Sequence, residues 1–304
     1  MSKNVFLFSG QGSQYPGMGV SFANSDVKLK AIFDEASEVL GFDLLDKCAN
    51  ASAEELSRTV ISQPAIMAVS LCAAEALRER GIIAEAAAGH SLGEYAAMVY
   101  CGIVSREDGF KLIKARSEAM QRACEAAKGA MYAIIGKTPE EIEQACEAAE
   151  GYVVPVNYNS TVQTVIAGEE EAAAKAAEAL TAAGARAVRL GVSSAFHSKL
   201  MQPAADEFLP AAKTFEFNKP KITMMSNISG GVLDSVEGMA ERLAKHIVSP
   251  VRFTDELAAL DSMGFDKFIE CGPGKVLTGL VKKTLKGANA MNVQDMDGLE
   301  KACG

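Results

Sequence analysis

Residues 89–93 read Gly89-His90-Ser91-Leu92-Gly93, and apolar or small residues precede them: Ile82, Ile83, Ala84, then Ala86 to Ala88. A serine in this setting sits on a tight turn between a strand and a helix. The flanking glycines fit a place where any larger side chain would clash with the neighbouring strand or helix. The helix that follows, from about Leu92 to Tyr100, points its first amides at the serine oxygen. An anion developing on a substrate carbonyl is stabilised at such a point. The turn therefore suits the making and breaking of an acyl-serine ester. An ordinary Gly-rich strand-to-helix turn is the plainer reading, and five residues alone do not separate the two.

Around this turn the chain alternates strands and helices. Val5–Phe8 reads as a buried first strand, followed by Ser9-Gly10-Gln11-Gly12-Ser13-Gln14, a Gly-rich loop without the lysine of a phosphate-binding loop. Gln63-Pro64 is expected to open a helix that stops before Gly81. Ser105-Arg106-Glu107-Asp108 starts a long helix reaching about Ala126. From about Ala130 the pattern becomes β-α-β-β-α-β: strands at 131–135, 152–157, 162–167 and 186–190, with helices at 138–149 and 169–183. That is the split βαβ order of a ferredoxin-like unit. The fold expected is α/β, a hydrolase-like large domain with a mainly parallel sheet flanked by helices. Residues 1–127 and 194–304 form it, and 128–193 is an inserted ferredoxin-like small domain. Beyond the insert, Phe196 to Lys213 reads as helical with Pro203 near its start. Lys221–Ser226 and Lys267–Glu270 read as strands, and Val236–Ile247, Thr254–Met263 and a segment ending near Leu285 as helices.

Composition bounds the function. The 304 residues are 49% apolar, enough for a sizeable core, yet roughly 18 apolar residues never run together, so no membrane span is expected. The apolar segment at Val5–Phe8 is too short for a signal-peptide core. Seven scattered cysteines form no C-x-x-C pair, which argues for a reducing cytoplasm and against disulfides or a zinc site. A net charge of −9 without a long basic run makes nucleic acid an unfavourable partner.

A serine hydroxyl needs a base to take its proton. The chain has three histidines: His90, His197 and His246. His90 adjoins Ser91 on a tight turn and is expected to bond locally. His246 falls near the end of a helix, a common place for a structural histidine. His197, at a loop-to-helix junction, is the favoured base. No acidic residue stands out as a third member, and a backbone carbonyl can hold the ring instead. Arg116 lies mid-helix on the face of Leu112 and Ile113, the buried one. A buried arginine needs an anionic partner, either an internal ion pair or a substrate carboxylate held in a bidentate clamp.

Together these residues resemble the malonyl-CoA:acyl-carrier-protein transacylases of bacterial type II fatty acid synthesis, over essentially the whole chain. The likeness rests on 8–14, on Gly89 to Tyr95, on the Arg116 helix, on Ala195-Phe196-His197-Ser198 and on Glu270 to Leu277. Asn157-Tyr158-Asn159-Ser160 with Gln163 to Gly168 is similar to the family's insert. The resemblance implies that Ser91 is the nucleophile and His197 its base, and that the amides of Gln11 and Leu92 form the oxyanion hole. It implies that Arg116 pairs with the free carboxylate of the malonyl group. A backbone carbonyl at His246, ahead of Pro250-Val251, would orient His197. Phe196 would crowd out a methyl on the malonyl α-carbon, and Asn159 would touch substrate. Ser9 replaces a proline common in the family's first loop, with little effect expected.

The expected reaction moves malonyl from malonyl-CoA to the phosphopantetheine thiol of acyl carrier protein by a ping-pong route, with no bound cofactor, in a monomer. A malonyltransferase of a polyketide pathway and a serine thioesterase or hydrolase are the alternatives. Because both this chain and acyl carrier proteins are acidic, docking needs a local basic patch. Its candidates are Arg186, Arg189, Lys199, Lys275, Lys282 and Lys283.

Overall fold

A computed structural model describes residues 3–192 and 194–304. Ser193, at the expected end of the insert, lies outside the described residues, as do Met1 and Ser2. In chain order the strands are β1 (Asn4–Phe8), β2 (Ala86–Gly89), β3 (Ala130–Ile135), β4 (Val153–Ser160), β5 (Gln163–Gly168), β6 (Arg186–Arg189), β7 (Thr223–Ser226), β8 (Gly231–Val232), β9 (Lys267–Cys271) and β10 (Asn289–Val293). They form two sheets. The larger has the order β10-β9-β1-β2-β7-β8. Its β1, β2, β7, β9 and β10 run parallel, and only β8 pairs antiparallel, with β7. The smaller sheet, β4-β5-β3-β6, is antiparallel throughout. Helices Pro139–Ala148 and Glu170–Ala182 complete the β-α-β-β-α-β order.

β1 is short and continuously apolar because helices cover both faces of the parallel sheet. Phe6 and Phe8 join one apolar cluster, Val5 and Leu7 the other. The small sheet divides the same way. Ala130, Ile134 and Ile166 pack with Ile142, Cys146, Ala173 and Leu180 of its own two helices. Met131, Ala133 and Val165 join the large core instead. Main-chain bonds from Tyr158 N–H to the Val251 carbonyl and from Val251 N–H to the Val156 carbonyl, both 2.8 Å, tie β4 to the segment that leads into the helix Phe253–Ser262.

Several boundaries depart from the sequence reading. The helix expected from Gln63 spans Thr59–Glu79, with Pro64 inside it. The Gln121 side chain caps it early by accepting from Thr59 N–H at 3.1 Å, so the proline costs only one interior donor. That helix is long and apolar enough to cross a membrane by composition, but 89% of the relevant window is buried inside the protein. Residues 158–160 belong to β4 rather than to a loop, and β4 carries register shifts at 155/157 and 158/160. Phe196–Ser198 is a turn, not helix. Ser198 Oγ accepts from Leu200 N–H and starts a short 3-10 segment, Lys199–Met201, and the helix itself is Gln202–Ala212. The last helix but one spans Val276–Thr284, and β10 with a terminal helix, Met296–Cys303, follows it unforeseen. All seven cysteines are free.

Candidate active site

The site gathers at the carboxyl ends of the parallel strands, the usual place for function in an open α/β sheet. β1 runs into the Gln11 loop, β2 into Ser91, β7 into Asn227 and β9 into Gly272. The elbow is tight. A Cβ on Gly89 would lie 2.1 Å from the Gly93 carbonyl carbon, and one on Gly93 would lie 2.1 Å from the Phe8 carbonyl oxygen. Only glycine fits at either position. The crossing throws Ser91 into the left-handed region at φ 55°, a conformation costing about 1–3 kcal/mol for a residue with a side chain.

Ser91 Oγ faces His197 Nε2 at 2.7 Å. His197 also has positive φ, 62°, and is buried. Its Nδ1 lies 3.0 Å from two carbonyl oxygens, those of His246 and Ser249. Two acceptors there put the ring hydrogen on Nδ1 and leave the Nε2 lone pair toward Ser91. Burial, then the neighbouring His246 and Arg116, hold this imidazole well below its ordinary range. His197 is therefore neutral and ready to accept a proton.

His90 turns away from the serine. Its Nε2 is 2.8 Å from Asn159 Oδ1 and its ring packs edge-on to Phe253. Asn159 is buried at the irregular end of β4, where a bulge can re-aim a side chain. Gln11 and Leu92 each contribute an amide N–H with no intramolecular hydrogen-bond partner among the described residues. Leu92 immediately precedes the elbow helix, Gly93–Tyr100. Ser9 donates to Glu270 Oε1 at 3.2 Å, and Glu270 in turn accepts from the Leu277 and Thr278 amides. This carboxylate links the Gln11 loop to the Val276–Thr284 helix.

Arg116 is completely buried. The internal ion pair considered for it is absent: among the described residues no carboxylate pairs with it. Its Nη1 donates to Gln63 Oε1 at 2.8 Å and its Nη2 to Ser91 Oγ at 3.1 Å, while Nε has no partner. The guanidinium lies over the Tyr95 ring at 5.4 Å. Gln63 Nε2 continues to Gln11 Oε1 at 3.1 Å, so one amide connects the cation to the first loop. A buried cation with no carboxylate in ion-pair contact is costly unless an anion arrives there. A cavity of about 420 Å³ opens at Ser91 and His197 and is lined by Gln11, Met120, Asn159 and Phe196 among others, and Arg116 meets it through Ser91 Oγ.

Two parts of this arrangement escaped the sequence reading, Gln63 and Asn227. In the sequence Gln63 reads only as a helix start. Asn227, in Ser226-Asn227-Ile228-Ser229, carries no spacing signal at all. Of the proposed basic patch, Arg189 is engaged by Glu170 and Lys199 lies over the Tyr152 ring at 4.0 Å, whereas Lys275, Lys282 and Lys283 are exposed.

The acyl transferase domain model matches residues 5–301. The malonyl CoA-acyl carrier protein transacylase of Bacillus subtilis strain 168 is 39% identical over 306 residues, covering 99% of this chain and 96% of that protein. The Escherichia coli K12 protein of the same name is also 39% identical, with 99% of each chain covered. Among solved structures, the transacylase from Clostridium perfringens superposes with a TM-score of 0.94 at 38% identity, covering 99% of this chain and 96% of its own. A malonyl-transacylase in complex with a type II polyketide acyl-carrier protein gives 0.95 at 38% identity, with 99% of each chain covered.

Proposed function

The chain belongs to the malonyl-CoA–acyl carrier protein transacylase family of acyl transferases, and on that premise we propose that Ser91 is the relay point through which it passes malonyl between two thiols. The protein transfers malonyl from malonyl-CoA to acyl carrier protein. Malonyl-CoA enters the cavity and its free carboxylate pairs with Arg116. Ser91 Oγ attacks the thioester carbon and its proton passes to His197 Nε2, 2.7 Å away. The oxyanion is held by the amides of Gln11 and Leu92. The carbon–sulfur bond breaks, and CoA leaves with the proton from His197. The phosphopantetheine thiol of the carrier protein then attacks the malonyl-serine ester and gives its proton to His197. The new thioester forms as Ser91 leaves with that proton. The carbonyls of His246 and Ser249 keep the imidazole in the tautomer both halves need.

The observation that carries this reading is Arg116: a fully buried guanidinium, without a carboxylate partner, 3.1 Å from the nucleophile. A neutral acyl group leaves that charge unpaired, whereas malonyl satisfies it. The ring of Phe196 lines the same cavity and disfavours a methyl on the α-carbon. Asn159, held by His90, is a further polar contact for the substrate. Every step draws on residues of the chain, so the enzyme needs no bound cofactor, with CoA entering only as part of the substrate. The product is the extender unit of fatty acid synthesis, made in the cytoplasm. Residues 128–193 act as an inserted small domain whose inner sheet face walls the cavity. Intact-mass analysis after mixing with malonyl-CoA tests the reading. The parent gains one malonyl group, loses it to added carrier protein and keeps it in buffer, whereas Ser91→Ala gains none. Rapid release of free malonate without carrier protein would instead mark a hydrolase.

A further inference from the structure

Behind the elbow lies a buried cluster of polar side chains to which the relay above gives no role: those of Glu94, Asn227, His246 and Glu256. Asn227 stands at its centre, and every polar atom it has is engaged. Its Oδ1 accepts from Ser91 N–H at 2.7 Å and faces His246 Nε2 at 3.1 Å. Its Nδ2 donates to the Gly89 carbonyl at 2.6 Å and to Glu256 Oε1 at 2.8 Å. Its main-chain N–H donates to Glu94 Oε1 at 2.6 Å, and its carbonyl accepts from Arg252 N–H at 3.0 Å. Because one end of the carboxamide meets only oxygens, the other end is the acceptor, and the His246 nitrogen facing it carries a hydrogen.

One planar group thus spans Gly89 and Ser91, the two sides of the strained turn. A serine at φ 55° persists only where its surroundings over-determine it. The same group holds the ring of His246, whose main-chain carbonyl in turn holds His197. Nucleophile and base come from distant parts of the chain, yet both are referred to this one side chain. We propose that Asn227 is a positioning residue that fixes Ser91 Oγ and His197 Nε2 in a single frame for proton transfer. The proposal rests on reading Ser91 as the nucleophile.

Two variants test it. Asn227→Ala removes both ends of the clamp. Asn227→Asp, nearly the same shape, keeps the acceptor for Ser91 N–H and His246 but sets an oxygen against both the Gly89 carbonyl and Glu256 Oε1. Single-turnover acylation by malonyl-CoA is followed by intact mass over a concentration series, on protein whose folding is checked by circular dichroism melts. The maximal acylation rate is expected to fall on the order of 10²-fold for Asn227→Ala and less for Asn227→Asp, as a shift of the reacting groups predicts. The half-saturating malonyl-CoA concentration stays at the parent value, because Arg116 and the cavity are untouched. Should the alanine variant not fold, the aspartate variant decides. A folded variant that acylates at the parent rate overturns the proposal, as does a loss confined to half-saturation. Ser91→Ala runs beside them. An adduct on it refutes the nucleophile, whereas no adduct there with parent rates on the Asn227 variants refutes the positioning role alone.

Discussion

His197 is where the residue scale matters most. Burial, with the nearby His246 and Arg116, disfavours its charged form. Its pKa is therefore below that of a free imidazole, and it stays neutral as pH falls through the ordinary histidine value of about 6.5. The kcat/KM for malonyl transfer should hold level through that pH and lose activity only further into acid. A limb centred at or above the ordinary value would show that the base is solvated during the reaction. His197 and Arg116 were both legible in the sequence, one from a short list of histidines and one from helical spacing. Asn227 was not. Its role comes from hydrogen bonds to residues 89, 91, 246 and 256, and contacts across such separations leave no periodic trace.

At the scale of elements, the elbow works because β1 and the Gly93–Tyr100 helix approach without side chains between them. Gly93→Ala places a Cβ 2.1 Å from the Phe8 carbonyl oxygen, and neither main chain can yield without moving the sheet. The variant should lose about 1–3 kcal/mol or more of stability, read as a lower thermal midpoint, together with acylation. An unchanged midpoint would mean that the crossing is looser than described. The glycines announced this crossing in the sequence. The sequence places the start of the Thr59–Glu79 helix too late because Pro64 looks like a first-turn residue, whereas Gln121, from another helix, accepts from Thr59 N–H and lets the helix start earlier. The turn at His197 was hidden for a similar reason. Ser198 and Pro203 each mark a helix start, and the chain uses the serine for a 3-10 segment and the proline for the helix proper.

For the whole molecule, two sheets with separate outer helices share one cavity, and the site draws on the ends of four parallel strands as well as β4. An acidic chain must bring an acidic carrier protein to that cavity. The Val276–Thr284 helix lines it with Leu277 and Leu280 and ends in exposed Lys282 and Lys283. Reversing both lysines to glutamate should raise the KM for carrier protein, most at low salt, and leave malonyl-serine formation from malonyl-CoA unchanged. An unaltered KM would send the docking surface elsewhere. The α/β class and the order of the insert could be read from hydrophobic pattern and caps. The way the small sheet closes over Ser91 could not, because it depends on pairing between β4 and the segment at Val251.

In this mechanism a buried Arg116 beside Ser91, in ion-pair contact with no carboxylate among the described residues, selects an acyl group bearing a carboxylate. The most direct test of that selection is the ratio of single-turnover acylation rates for malonyl-CoA and acetyl-CoA, measured by intact mass on the parent and on Arg116→Ala. A strong malonyl preference in the parent that collapses in the variant, through loss of the malonyl rate, is the predicted result. A variant that keeps the parent's preference for malonyl would show that Arg116 does not select the carboxylate.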